Sequence, residues 1–291
     1  MRILILIIIL HIELTALCQH RQRLCFSDQE RFNLRGKIKS YTHIDYQPIF
    51  EQDSLKDLRI DDFILLPNNY KLEFDKNGYR QKKIEFSYMQ EKDSLVDKGL
   101  WIYKYDKHNR ILQETYCPDK FSMDTIKWFY TYPNDSTTLI HQYGTTYAFT
   151  NQFYKYLQEG WNEDFWQSNA DSSYVTRKRF VYDMHNRMIR TEEYGNQNYI
   201  QYIRAYTYPD SLTRNPNVKV RINTKYNTPA IITTYEYDKF GNEIKASIIG
   251  KYARANNTKY KYDKNRNWIE RSVYLSNGRI KISKRKFEYW E

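Results

Sequence analysis

Glycine is scarce in this chain, 9 of 291 residues, and the mean hydropathy is −0.85. A thick aliphatic core is therefore excluded. The one long apolar run, ILILIIIL at 3–10, has eight residues and falls short of the roughly 20 that a membrane-spanning helix requires. His11 and Glu13 interrupt it further, so no transmembrane span is expected. There is no HExxH, GxSxG, phosphate-binding loop or dinucleotide glycine fingerprint, and no Cys/His spacing suited to zinc. No cofactor, metal site or catalytic residue is implied, and the chain is not read as an enzyme. Glycine-serine linkers, coiled-coil heptads and low-complexity tracts are also missing, which argues for one elongated unit rather than two joined domains.

What the chain has is tyrosine, 29 residues of it. Aromatic pairs two residues apart recur nine times: Leu72/Phe74, Tyr103/Tyr105, Tyr130/Tyr132, Tyr154/Tyr156, Phe180/Tyr182, Tyr206/Tyr208, Tyr235/Tyr237, Tyr260/Tyr262 and Phe287/Tyr289, with Leu72 the one non-aromatic member. Successive pairs are separated by 24 residues (Tyr130 to Tyr154) to 31 (Leu72 to Tyr103). A period of that size marks a repeat architecture in which each supersecondary unit stacks on the next. Residues two apart share one face of a strand, so neighbouring units bring their rings together across a sheet.

Each unit reads as strand, turn, strand. In KLEFDKNGYRQKKIEF (71–86), IYKYDKHNRILQETY (102–116), FVYDMHNRMIRTEEY (180–194), TYEYDKFGNEIKAS (234–247) and KYKYDKNRNWIERSVY (259–274), a two-residue alternation enters an Asp and resumes after a short break. Asp75, Asp106, Asp183, Asp238 and Asp263 suit the first position of a type I turn, where the carboxylate accepts from amides further on. They are read as exposed turn formers rather than catalytic acids. Three residues later stand Gly78, Asn109, Asn186, Gly241 and Arg266. Gly and Asn tolerate the left-handed conformation this turn demands, and Arg266 does not fit. Two further copies, YTYPNDSTT (130–138) and YTYPDSLTR (206–214), place Pro where the others have Asp. His108 and His185 hold equivalent turn positions and are read as turn surface.

The motif Y-x-Y-D-x-x-G-N/R-x-I, seen from Tyr235 to Ile244 and nearly so from Tyr103 and Tyr260, resembles the YD repeat of RHS-type proteins. The closing stretch YKYDKNRNWIERSVYLSNGRIKISKRKFEYW (260–290) and the opening LRGKIKSYT (34–42) resemble exported YD-repeat proteins of the Bacteroidetes type. The resemblance covers about residues 34 to 291. The expected fold is all-β: tandem YD-like β-hairpins forming one long twisted antiparallel sheet, with spiralling or partial closure left open by the pattern. Relatives of this kind include toxin-enclosing shells, adhesins and proteins associated with carbohydrate. This chain is too short for a shell, and its repeats run to Tyr289 with no effector after them.

Residues 1–18 read as a signal peptide, 19–70 as an N-terminal segment and cap, and 71–291 as the hairpin-repeat domain. Cleavage after Cys18 leaves Gln19 as the mature terminus; the rival is lipid anchoring at Cys18, for which Leu17 is a poor neighbour. Export places the protein in the periplasm or outside the cell, where an oxidising environment permits a Cys25–Cys117 bridge. Within 19–70 a first strand is expected near Gly36 to Tyr41 and a short helix near Ser54 to Arg59. The 217–229 stretch is expected to add a strand beside a repeat.

Forty-six Lys and Arg against 35 Asp and Glu give a net charge of +11. Arg279, Lys281, Lys284, Arg285 and Lys286 form a basic cluster that suits contact with a polyanion or a protected sheet edge. A second candidate is LQEGWNEDFWQ (157–167), where Trp161, Phe165 and Trp166 suit stacking on sugar rings and Glu159, Glu163 and Asp164 suit hydrogen bonds to hydroxyls. These features point to a non-catalytic binding or scaffold module for carbohydrate, an anionic envelope polymer or a protein partner. The alternative is a carbohydrate-active enzyme with two of those carboxylates at its centre. Nucleic acid is not an expected partner, since no oligonucleotide-binding motif accompanies the aromatics.

Overall fold

A computed structural model describes residues 27–51, 54–61, 69–89, 94–118, 125–134, 137–143, 151–157, 162–168, 174–183, 185, 187–195, 199–210, 215–224, 226, 228–250 and 253–291; the side chains of Arg31, 134, 137–139, 142 and 151–176 are outside that description. Nearly all of it is strand. The elements are a helical turn α1 (Asp28–Arg31) and strands β1 (Ile38–Glu51), β2 (Ser54–Ile60), β3 (Asn69–Phe74), β4 (Arg80–Met89), β5 (Ser94–Tyr105), β6 (Ile111–Cys117), β7 (Ile126–Asn134), β8 (Thr137–Tyr143), β9 (Asn151–Leu157) and β10 (Asn162–Ser168). They continue with β11 (Tyr174–Tyr182), β12 (Met188–Tyr194), β13 (Ile200–Thr207), β14 (Val218–Asn223), β15 (Ile231–Tyr237), β16 (Glu243–Ile249), β17 (Arg254–Tyr262), β18 (Trp268–Tyr274) and β19 (Ile280–Tyr289). All belong to one antiparallel sheet, as the alternation predicts, and β14 is the extra strand expected in 217–229.

From β3 onward each strand pairs with the next in chain order. The first strand then joins the two ends of this meander. Along one edge β1 pairs with β19, with Tyr41 opposite Phe287, and along the other it pairs with β3, with Tyr41 opposite Leu72. The long strand β1 runs past β3, and its free edge is taken by β2 in a hairpin. The segment read as a short helix near Ser54 is therefore a strand: the unpaired edge of β1 offers more backbone hydrogen bonds than one helical turn could make. At the junction Asn69, buried, accepts from the Asp45 amide at 2.8 Å and donates to the Asp61 carbonyl at 3.2 Å.

The aromatic pairs share one face of the sheet, and its densest packing lies at this seam. Ile38, Tyr41, Leu72 and Phe74 are each at most 2 % exposed. Leu34, Tyr70, Phe287 and Tyr289 pack around them. Along single strands the paired rings stack, as in Phe287/Tyr289 at 6.1 Å and Tyr235/Tyr237 at 6.3 Å. The opposite face carries ion pairs at the alternate positions, among them Lys71–Glu73, Glu236–Lys245 and Lys261–Glu270.

The turns explain why Asp recurs. In all five, Oδ1 accepts from the amides two and four residues later, for example from His108 and Arg110 to Asp106 at 2.7 and 2.9 Å. Each turn is accompanied by a one-residue shift of register at the second member of the aromatic pair, a β-bulge. Gly78, Gly241 and Asn109 have positive φ, and so does Arg266, at 66°. The misfit residue takes the strained conformation its position requires. A further turn of this type, Leu275 to Arg279, has Leu in place of the Asp and went unread in the sequence. The five aspartates sit at separate hairpin turns but are half-buried rather than exposed: Arg110 and Arg187 of the same turns cover Asp106 and Asp183, and Tyr262 and Tyr289 of the next repeat cover Asp238 and Asp263.

Residues 27–37 lie across several of these turns. Ser27 caps α1 reciprocally with Glu30. Asp28, 3 % exposed, accepts from the Arg80 amide at 2.9 Å and the Tyr105 hydroxyl at 2.7 Å. Asn33 donates to the Phe240 carbonyl, and Arg35 and Asn267 exchange two hydrogen bonds of 2.8 and 2.7 Å.

Candidate functional site

Two polar clusters interrupt the aromatic face on either side of the seam. The first spans β4 to β7. Trp101 on β5 stacks on Trp128 of β7 at 5.3 Å and 14°, and Tyr116 of β6 lies 4.6 Å from Trp101. The register sets this up, since Trp101 is opposite Tyr116 and Glu114 is opposite Trp128. Glu85, buried, accepts from the Trp101 indole at 3.1 Å and from Lys83 at 2.6 Å. Gly99 makes the shelf possible: a Cβ there would stand 2.8 Å from the Tyr116 ring and 3.2 Å from the Glu85 carboxylate. Arg80 lies over Tyr103 at 4.4 Å. Burial raises the Glu114 carboxyl above its usual range against the pull of Arg80, and burial also pushes the Tyr103 hydroxyl up to about 12.

The second cluster joins β1, β18 and β19. His43 donates from Nε2 to Asp45 at 2.9 Å and accepts at Nδ1 from Arg285 at 3.4 Å. Ser283, 1 % exposed, bonds the Asp45 carboxylate and accepts from Arg271 at 3.1 Å. The residue types are those of a nucleophilic triad, but the wiring differs. The hydroxyl is bonded to the carboxylate and to a guanidinium, whereas a triad needs its base on the nucleophile. Burial holds His43 below its usual pKa, helped by Arg285 and Arg271 and opposed by Asp45. Although burial works against it, the His43 and Ser283 hydrogen bonds hold Asp45 below the usual carboxylate range.

The residues singled out near 157–167 fall largely outside the described structure. Glu159 and Trp161 lie outside the described residues. Glu163, Asp164, Phe165 and Trp166 are placed by backbone alone, in β10, with their side chains outside the description; Glu163 pairs with Tyr156 and Phe180, and Asp164 with Lys155 and Arg179. In the basic cluster, Arg279 is exposed at the last turn and Lys281 is exposed on the aromatic face. Lys284 and Lys286 alternate onto the opposite face, where Lys284 lies over Tyr46 at 5.4 Å. Arg285 is packed among rings, 3.7 Å over Trp268 and 4.9 Å over Tyr41. Cys117 carries a free thiol, while Cys18 and Cys25 lie outside the described residues. Among the described residues no group of three or more His, Cys, Asp and Glu is arranged to hold a metal ion, and no helix is long and apolar enough to cross a membrane.

The aromatic shelf was missed in the sequence although a signal for it exists. W-x-Y-x-Y occurs at 101–105 and again at 128–132, which extends the pair by one position on the same face.

No protein-family model matches the chain, and no curated protein matches it. Among solved structures it is similar to a porin-like protein from Bacteroides uniformis at 9 % identity and a TM-score of 0.48, over 86 % of this chain and 98 % of that one. It is also similar to the TcdB2-TccC3-Cdc42 structure at 10 % identity and a TM-score of 0.21, over 70 % of this chain and 17 % of that one. At TM-scores below 0.5 neither likeness defines what this chain is.

Proposed function

We propose that the protein is an exported, non-catalytic binding module of the YD-repeat type, acting in the periplasm or outside the cell, and that its ligand is carbohydrate of the cell envelope. The observation that carries this reading is the Trp101–Trp128 stack with Tyr116, bordered by Glu85 and Lys83. Aromatic faces receive the C–H side of a sugar ring, and fixed polar groups at the border orient its hydroxyls. The opposite face, charged and ion-paired, suits contact with water or with an anionic polymer. A scaffold role toward a protein partner shares this architecture and predicts no affinity for free glycans.

Glycan arrays at low and high salt test the reading. Wild-type protein is expected to retain neutral glycans at both salt levels, and Trp101→Ala or Trp128→Ala to weaken them about tenfold, the loss of one stacking contact. Circular dichroism of each variant checks that the sheet persists. No retained glycan, or retention indifferent to both tryptophans in a folded variant, sinks the proposal. Hydrolysis of any glycan that disappears with Glu163→Gln or Asp164→Asn moves the function to the enzyme reading.

A further inference from the structure

A narrow, shallow cleft, open to solvent, lies between residues 32–35 and the turn residues Phe240, Asn242, Arg266, Asn267 and Trp268. Three guanidinium-bearing residues line it, Arg35, Arg266 and Arg285, together with the rings of Phe240 and Trp268; the turn carboxylates Asp238 and Asp263 stand behind the lining residues Asn242 and Asn267, which bond them, and are not themselves among its described walls. We propose that this cleft is a binding site for a small oxyanion, a carboxylate or phosphate group, for which the three arginines supply the counter-charge. The site is separate from the aromatic shelf, and its test does not depend on the shelf.

Arg285 carries most of the argument. It is packed between Trp268 and Tyr41 and hydrogen-bonds His43 and the Tyr70 hydroxyl, neither of which is an anion. No carboxylate lies within ion-pair distance of it among the described residues, and its charged neighbour, Arg271, repels it. Asp45 cannot serve, because it is bonded to His43 and Ser283 on the other side of the imidazole. Ring contacts offset only part of the cost of taking a guanidinium out of water. A guanidinium drawn largely out of water without an anion leaves its desolvation uncompensated. An anion entering the cleft removes that imbalance, and it meets the planar fork that holds carboxylate and phosphate oxygens two at a time.

Arg266 supplies the second, independent observation. Its φ of 66° is one that Gly78, Gly241 and Gly278 adopt without penalty in the sibling turns. The turn imposes the conformation but does not call for arginine there, and a cationic side chain kept at that cost on the lip of the cleft suits a ligand of opposite charge. Arg35, whose backbone is fixed by Asn267 and whose guanidinium lies over Phe240 at 5.2 Å, completes the set from the N-terminal segment.

Isothermal titration with sodium phosphate and with sodium glucuronate, at ionic strength matched by sodium chloride, tests the proposal, with glucose as the uncharged control. At least one anion is expected to bind saturably, and glucose not to bind at this cleft. Arg266→Gly, which relieves the strained turn and so preserves folding, is expected to weaken anion binding at least fivefold, and Arg285→Gln to abolish it. Binding of phosphate alone assigns the site to phosphate esters, and binding of glucuronate alone to acidic sugars. Absence of saturable binding by both anions, or unchanged affinity in Arg266→Gly, overturns the proposal, whatever the glycan arrays report for Trp101 and Trp128.

Discussion

The turns Asp106–Arg110 and Asp183–Arg187 share their backbone wiring with Asp238–Asn242 and Asp263–Asn267 and differ in the residue that ends them. Where Arg ends the turn, its guanidinium takes the second carboxylate oxygen, as Arg110 does with Asp106 at 2.8 Å, and lies over a tyrosine of the next repeat, Tyr132 at 4.2 Å. Arg187 repeats this with Asp183 and with Tyr208 at 4.3 Å. Tyr132 and Tyr208 then donate to the carbonyls of Ile111 and Met188. Where Asn ends the turn, the next repeat's tyrosine reaches the carboxylate itself: Tyr262 donates to Asp238 and Tyr289 to Asp263, with Asn242 and Asn267 donating to the same hydroxyls. Both arrangements tie one hairpin to the next through a single Asp. The first does so through a cation and a ring, the second through a shared hydrogen bond, and the tyrosines of the first kind are the two followed by Pro133 and Pro209.

The comparison breaks most visibly at Asp263. Asp263→Ala removes the acceptor of two turn amides and of Tyr289, whose neighbour Asn267 also holds Arg35 of the N-terminal segment. A loss of about 3 kcal/mol is expected, from charged hydrogen bonds and stranded donors. Asp106→Ala is expected to cost about 1 kcal/mol less, because Arg110 can remain stacked on Tyr132 and turn to solvent. Urea denaturation of both variants measures the difference. Equal losses would mean that the turn amides alone matter and that the link to the next repeat contributes nothing.

Acid sharpens the same comparison. Burial opposes ionisation of Asp106, Asp183 and Asp238, but hydrogen bonds from their turns, and Tyr262 at Asp238, hold all three below the usual carboxylate range. A carboxylate depressed in the folded state binds fewer protons there than in the unfolded chain. Its stabilisation is complete above the unfolded value of about 3.9 and is lost as pH falls through the folded value. His43 is depressed as well, mainly by burial, so its contribution is complete above about 6.5 and declines below it. Unfolding midpoints followed from pH 8 to pH 3 are therefore expected to fall in two stages, with His43→Gln flattening the upper stage and Asp238→Asn reducing the lower. A single transition near pH 4 that His43→Gln leaves untouched would contradict the placement of the imidazole.

Much of this was legible in the sequence, because hairpin repeats are specified locally. Aromatic pairs mark the buried face, and Asp followed three residues later by Gly or Asn marks the turn. The parts that were not legible depend on distant partners. Nothing local in Ile38–Glu51 announces that one strand pairs with both β19 and β3, although Tyr41, His43 and Asp45 at alternate positions do place three residues on one face. The Leu275 turn escaped because its Asp is missing, and only Gly278 remains as a sign. Arg285 reads as one more cation in a basic run; alternation puts it on the face opposite to Lys284 and Lys286, where rings and not solvent await it. The shelf was passed over for the tryptophans at 161 and 166 because chemistry-bearing residues close together in sequence draw attention, whereas Trp101 and Trp128 meet across three strands.

The smallest effect concerns the fourth residue of the turns and separates conformation from function. A non-glycine residue in the left-handed region costs roughly 1–2 kcal/mol, less for Asn, whose side chain bonds locally. Glycine returns part of that gain through the larger entropy of its unfolded chain, about 0.4–1 kcal/mol. Arg266→Gly is therefore expected to raise stability by about 0.5–1 kcal/mol, and Asn109→Gly, at a φ of 61°, to leave it nearly unchanged. Thermal unfolding of the two variants in phosphate-free buffer measures this. If Arg266→Gly gains stability there and loses it relative to wild type when phosphate or glucuronate is present, the strain at 266 and the anion site are one feature. If it destabilises the protein in both conditions, Arg266 makes a structural contact that its backbone strain serves, and the oxyanion has no claim on it.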